Sequence, residues 1–189
     1  MKKYAIIVAG GSGTRFGSTL PKQFIPLGGV PVLMRTIKAF ADYERDINIV
    51  VALPSEHLTL WGDLCALRNF DVPHKVVEGG ANRFESVRNA LFAVNETECL
   101  VAVHDGARPL VSRQVIAAGF ETAARCGTAI PTVPVTDSIR QLDRNGSHNV
   151  SRESLVAVQT PQTFRVEILK EAYTTAFSPL FTDDASVVE

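Results

Sequence analysis

Five short apolar runs, separated by stretches of helical periodicity, constrain this chain more than any other feature of its sequence. The runs are Ala5 to Ala9, Ile47 to Leu53, Lys75 to Glu78, Leu100 to His104 and Thr128 to Val135. Between them, Val32 to Ala41, Ser55 to Asn69, Arg83 to Val94 and Ser112 to Cys126 carry apolar side chains at three and four spacing, the signature of helices packed by one face. Ser55 and Ser112 stand where N-caps are expected. Strands that alternate with helices fold as β-α-β units, so the expectation is an α/β protein with a mainly parallel sheet covered on both faces. At 189 residues, 46% of them hydrophobic, the chain can bury one substantial core, and one domain over residues 1–189 is expected.

The rhythm breaks over residues 136–156. Asp143-Arg144-Asn145-Gly146 is a strong turn signal between short segments of mixed polarity, which predicts a projecting β-arm inserted into the domain. An arm too polar to fold on itself commonly finds its partner on a second subunit.

In open α/β sheets, ligands bind beyond the carboxyl ends of the strands, and three such ends carry suggestive chemistry. After the first strand come Ala9-Gly10-Gly11-Ser12-Gly13-Thr14-Arg15-Phe16-Gly17 and then Leu20-Pro21-Lys22-Gln23. Glycines let backbone N–H groups approach a polyanion closely, and Arg15 and Lys22 add fixed positive charge, so this reads as a phosphate site. It is neither the dinucleotide fingerprint, whose third glycine would fall at Phe16, nor a Walker A loop. After the third strand, Glu78-Gly79-Gly80-Ala81-Asn82-Arg83-Phe84-Glu85-Ser86 opens a helix whose N-terminus favours anions. After the fourth, His104-Asp105-Gly106-Ala107-Arg108-Pro109 delivers Asp105, a candidate Mg²⁺ ligand, since Mg²⁺ pairs one or two carboxylates with substrate phosphates. The alternative for Asp105 is a turn cap paired with Arg108.

Other classes are disfavoured. A net charge of −1 gives no global attraction to nucleic acid or membrane, and no apolar run approaches membrane-spanning length. Cys65, Cys99 and Cys126 are odd in number and widely spaced, which argues against disulfides and for a reducing, cytoplasmic compartment. Cys65 and Cys99 read as buried structural thiols. No nucleophile motif accompanies His104, which is taken as structural, and His57, His74 and His148 are expected at the surface.

Taken in order, A-G-G-x-G-x-R-x-G with P-K-Q-F, G-G-x-x-R-x-x-S-V, V-H-D-G-A-R-P, T-P-Q-x-F and T-D-D-A-S span nearly the whole chain. Together they resemble the 2-C-methyl-D-erythritol 4-phosphate cytidylyltransferase family. The resemblance implies a Rossmann-like, three-layer fold of nucleotidyltransferase type, Mg²⁺ as cofactor, a homodimer formed through the β-arm, and transfer of a cytidylyl group from CTP to a polyol phosphate in non-mevalonate isoprenoid biosynthesis. Arg15 and Lys22 would contact the CTP phosphates and stabilise the transition state. Ala9, Gly10, Gly11, Gly13 and Thr14 would form the nucleotide loop, with Gly80 and Ser86 near the cytosine and ribose. Asp105 would assist Mg²⁺ binding and, with Arg108, Ser138 and Arg152, serve the acceptor, the last two from the arm of a neighbouring subunit.

The family often carries an acidic or polar residue where this chain has Ala81. Relatives also continue past the position of Glu189 through a further strand and helix with a phosphate-contacting lysine, so a truncated C-terminus is expected. Three alternatives stay open: a cytidylyltransferase for another polyol phosphate such as ribitol 5-phosphate, a hexose-phosphate nucleotidyltransferase, and a CTP-binding module without turnover.

Overall fold

The computed structural model describes residues 1–11 and 20–189. Strand β1 (Lys2–Val8) leads through the opening segment to a short ribbon, β2 (Pro26–Leu27) with β3 (Val30–Pro31), and then to α1 (Val32–Tyr43). Next come β4 (Asn48–Leu53), α2 (Leu58–Leu67), β5 (Lys75–Glu78), α3 (Arg83–Phe92), β6 (Cys99–Asp105), α4 (Arg113–Cys126) and β7 (Thr128–Ala129). The chain then runs through β8 (Thr132–Pro134), β9 (Ile139–Asp143), β10 (Gly146–Val150) and β11 (Val156–Val158) before closing with β12 (Gln162–Arg165), α5 (Val166–Ala172) and α6 (Ala185–Val188).

The main sheet has the order β5-β4-β1-β6-β12-β7. Strands β5, β4, β1 and β6 are parallel, and β12 runs antiparallel to both its neighbours. Side chains alternate across this sheet, so β1 buries Ala5 and Ile7 on one face and Tyr4 and Ile6 on the other. On the first face lie Ile37 and Phe40 of α1, Trp61 of α2, and Ile116 and Phe120 of α4. On the second lie Phe84 and Val87 of α3, Leu169 of α5 and Val187 of α6. The result is the expected α/β three-layer arrangement.

The order also fixes where a crevice forms. The chain builds outward from β1 through β4 to β5, then returns through α3 on the opposite face to place β6 on the other side of β1. Strand order reverses there, and the residues that follow β1 and β6 line a common cleft at the carboxyl ends of the strands. Gly106 seals the base of the cleft: its N–H donates to the Val8 carbonyl at 2.8 Å, and a Cβ there would lie 2.9 Å from that of Ala9.

Several local expectations change. The run Thr128 to Val135 divides into β7 in the main sheet and β8 outside it, which pairs with β11. Ser55 is not an N-cap: residues Ser55–His57 tighten into a 3₁₀ turn, so α2 starts at Leu58 without a side-chain cap. Ser112 does cap α4, its Oγ accepting from the Val115 N–H at 3.2 Å. His57 and His74 are half-buried rather than superficial. His57 packs edge-on against Phe24, while His74 accepts a hydrogen bond from the Trp61 indole at 3.0 Å.

The arm between β8 and β11 carries the β9–β10 hairpin, paired from Ile139↔Val150 to Asp143↔Gly146. Asp143 Oδ1 accepts from the Asn145 N–H at 2.8 Å, and Gly146 supplies a φ of 135° that other residues rarely adopt. Arg140 ties the strands together through Ser147 Oγ and the Ser147 carbonyl.

Candidate active site

Two cavities share one wall at the cleft. The first, about 270 Å³, is lined by the end of β1 at Ala9, Gly10 and Gly11, by Lys22 and Gln23, and by residues 80–83 with Ser86 of α3. The second, about 250 Å³, is lined by Arg108, Gln159, Thr160, Gln162, Thr182 and Asp183 among others. Arg83 and Asp105 line both.

The first cavity is organised from the sequence upward. Lys22 opens a 3₁₀ turn, Lys22–Phe24, whose Gln23 is buried and donates from Nε2 to the Ala9 carbonyl at 2.7 Å. That bond fastens the turn carrying Lys22 to the end of β1, leaving the ammonium group exposed beside the glycines. Asn82 caps α3 by accepting from the Glu85 N–H at 2.9 Å, and Glu85 reaches back to the Ala81 N–H at 2.9 Å. Gly80 sits so close to Glu85 that a Cβ would fall 2.2 Å from the glutamate Cβ, so only glycine fits. The Ser86 hydroxyl accepts from the Gly80 N–H and donates to the Asn82 carbonyl. Its hydrogen bonds therefore shape the Gly79-Gly80 turn.

The shared wall is set by a directional chain of hydrogen bonds. His104 is fully buried; burial pushes its imidazole down to about 4, only partly offset by the Arg108 carbonyl, so it is neutral at pH 7. Its Nε2–H donates to the Arg108 carbonyl at 3.0 Å, and its Nδ1 accepts from the Thr160 hydroxyl at 2.9 Å. Thr160 in turn faces the Asp105 N–H at 3.4 Å. The Asp105 carboxylate accepts from Arg108 Nε at 2.8 Å and lies 3.6 Å from Arg83 Nε. His104 is thus structural, as expected, and it positions both Asp105 and Arg108.

Of the predicted site residues, Ala9, Gly10, Gly11, Lys22, Gly80, Ser86, Asp105 and Arg108 are gathered around the two cavities. Gly13, Thr14 and Arg15 lie outside the described residues. Ser138 and Arg152 are exposed at the root of the arm and line neither cavity of the single chain. Gln162 and Asp184 lie inside the T-P-Q-x-F and T-D-D-A-S motifs but carry no role that the sequence pattern assigns. Both are buried, a property that their polar sequence neighbourhood does not announce.

Among the described residues, no group of three His, Cys, Asp or Glu side chains could hold a metal by itself. Asp105 is paired with Arg108 at 2.8 Å, the alternative its sequence context left open, and it also lines the first cavity, where its carboxylate is the hard-oxygen donor that a Mg²⁺ ion bound largely by substrate phosphates and water would use.

A glycine-rimmed cavity at the reversal point of a three-layer α/β sheet, with Lys22 and Arg83 in its lining, is the arrangement of a nucleotidyltransferase-type protein. Solved structures agree. The chain is similar to 2-C-methyl-D-erythritol 4-phosphate cytidylyltransferase from Thermus thermophilus, with 34% identity and a TM-score of 0.76 over 100% of this chain and 83% of that one. It is also similar to the enzyme of that name from Francisella tularensis, with 30% identity and a TM-score of 0.80 over 100% of this chain and 85% of that one. Among curated relatives, the 2-C-methyl-D-erythritol 4-phosphate cytidylyltransferase of Bacteroides thetaiotaomicron is 50% identical over 189 residues, covering 100% of this chain and 86% of the relative. The family model described as IspD, 2-C-methyl-D-erythritol 4-phosphate cytidylyltransferase, matches residues 4–189, and the chain belongs to that family.

Proposed function

We propose that this chain transfers the cytidylyl group of CTP to 2-C-methyl-D-erythritol 4-phosphate, giving 4-diphosphocytidyl-2-C-methyl-D-erythritol and pyrophosphate. The observation that carries this reading is the pair of adjoining cavities that share Arg83 and Asp105. One has the glycines and Lys22 suited to a nucleotide triphosphate. The other has Arg108 suited to an acceptor phosphate.

In this reading the acceptor's phosphate oxygen attacks the α-phosphorus of CTP in line, and pyrophosphate leaves. A phosphate monoester is already a competent nucleophile near neutral pH, so positioning and charge stabilisation replace a catalytic base. Lys22 neutralises charge that develops on the triphosphate, and Arg15 is assigned the same task from the sequence motif. Arg108, fixed by Asp105 and by Gln159 Oε1 at 2.7 Å, orients the acceptor. Asp105 would hold Mg²⁺, which when bound supplies further neutralisation of the phosphates.

The homodimer belongs to the same proposal, with Ser138 and Arg152 reaching the acceptor site of a neighbouring subunit. Exposed Leu142, Val133 and Val156 on the arm support it. A cytoplasmic setting is supported by three free thiols and, among the described residues, by the lack of a helix long and apolar enough to cross a membrane.

The test is pyrophosphate release from CTP and Mg²⁺ with 2-C-methyl-D-erythritol 4-phosphate or ribitol 5-phosphate as acceptor. Turnover with the first alone is expected. Preference for ribitol 5-phosphate would reassign the acceptor, and CTP binding without release of pyrophosphate would leave a binding module.

A further inference from the structure

The T-D-D-A-S motif has no role in the mechanism above, yet it delivers a fully buried carboxylate to the wall between the cavities. Asp184 is 0% exposed. Its Oδ2 accepts from Arg83 Nη2 at 2.6 Å, and its Oδ1 accepts from the Tyr173 hydroxyl at 2.7 Å. We infer that Asp184 is a positioning residue for the transfer reaction: held by Tyr173, it fixes the Nη2 end of the Arg83 guanidinium, so that the remaining N–H donors, with Nε 3.6 Å from Asp105, are aimed at ligand phosphate. This inference rests on the functional reading above.

Three observations carry it. Arg83 is the first residue of α3, where the helix dipole disfavours a cation, so its position is not explained by helix stability. Its two carboxylate contacts are unequal. The Asp184 contact is short and buried, whereas Asp105 stands 3.6 Å from Nε and is itself engaged by Arg108 at 2.8 Å. A guanidinium has five N–H donors, so a single firm anchor leaves several for a ligand. Burial works against the charged form of Arg83, but the Asp184 carboxylate, with Asp105 adding, outweighs it and raises its pKa.

The turn that presents Asp184 is also built without using its side chain. Asp183 Oδ1 accepts from the Ser186 N–H at 2.9 Å, and the Ser186 hydroxyl donates to the Asp183 carbonyl at 2.8 Å. Gln162 clamps the turn from β12, donating to Asp183 Oδ2 at 2.8 Å and accepting from the Ala185 N–H at 2.9 Å. The Asp184 carboxylate is therefore committed to Arg83 and Tyr173. Buried ion pairs add little net stability, which leaves orientation of Arg83 as the property that this charge supplies.

The experiment combines arginine side-chain NMR of the full chain with kinetics of Asp184→Asn. In the wild type, Arg83 is expected to show slow rotation about its Nε–Cζ bond; Asp184→Asn should bring it to the averaged behaviour of exposed arginines. The same substitution should lower kcat/KM for both substrates by roughly 10- to 100-fold, because Arg83 lines both cavities. Introduced into an Arg83→Ala background, it should change kcat/KM by less than about twofold. Unaltered Arg83 rotation, or an equal loss in both backgrounds, would overturn the inference.

If Asp184→Asn does not fold, Tyr173→Phe replaces it. Faster Arg83 rotation with a several-fold loss of kcat/KM is then expected, and unchanged rotation overturns the inference. Should the wild type release no pyrophosphate, the functional reading fails while the NMR comparison still decides whether Asp184 holds Arg83.

Discussion

The wall of the cleft and the arm beyond it are organised in opposite ways. At the wall, His104 is fully buried, donates from Nε2 to the Arg108 carbonyl and accepts at Nδ1 from the Thr160 hydroxyl. In the arm, β9 and β10 pair with each other, their side chains face outward, and Leu142 is 79% exposed. Groups that must meet reacting atoms within a few tenths of an ångström gain from a rigid, water-poor frame. In the proposed homodimer, a segment that completes a site on another subunit would instead keep its surface available. The contrast separates residues whose replacement disturbs chemistry from those whose replacement disturbs assembly.

The largest expected effect tests the cleft. Lys22→Ala should lower kcat by roughly 10² to 10³, about 3 to 4 kcal/mol in the barrier, with less change in KM and an unchanged melting temperature because Lys22 is exposed. An unaltered kcat would remove Lys22 from the mechanism and weaken the contrast at its stronger end.

The buried imidazole gives the next effect. The folded pKa of His104 is depressed to about 4 from an ordinary 6.5, so the unfolded chain binds the proton more readily. Stability is thus fully present above pH 6.5 and falls as pH drops toward 4, by up to about 3 kcal/mol. Urea midpoints from pH 7 to 5 should decline. Glu96, whose carboxyl is held down to about 2 by Lys2 and Tyr4, and Asp183, lowered despite its burial by bonds from Ser186 and Gln162, act at lower pH. A flat profile would show that His104 is not buried neutral.

Two arm substitutions should behave differently. Leu142→Glu is expected to weaken self-association by about 1 to 2 kcal/mol, the cost of withdrawing one buried aliphatic side chain, visible as a lower sedimentation coefficient. A concentration-independent monomer in the parent chain would remove the dimer altogether. Smallest of all, Arg140→Ala should change thermal stability by less than about 0.5 kcal/mol, since exposed cross-strand bonds contribute little. A large loss would mean that the arm is integral to the core.

Much of this was legible in the sequence. The strand at Lys75–Glu78 appears where the pattern puts it, and the starts of α1 and α3 are marked by Val32 and Arg83. Strand β12 was not foreseen, because Gln162-Thr163-Phe164-Arg165 is too short for its alternation to stand out and buries two polar residues. The division of Thr128 to Val135 follows from Pro131, which cannot donate to a ladder. Within the site, glycines and cations announced themselves through composition. The Asp184 anchor did not, because local periodicity carries no information about a partner 101 residues away.

That separation has a consequence for how the protein comes into being. Sheet pairing of β1 with β4 joins early parts of the chain, whereas Arg83 acquires its buried partner only when α6 has docked. The delay follows from chain order rather than loop length, since β1 and β6 pair across a comparable separation, Lys2 with Cys99. A nascent chain can therefore hold much of its sheet while the cleft still lacks the Arg83 anchor, so ordering of the Arg83 side chain during synthesis would report the docking of α6 rather than the formation of the core.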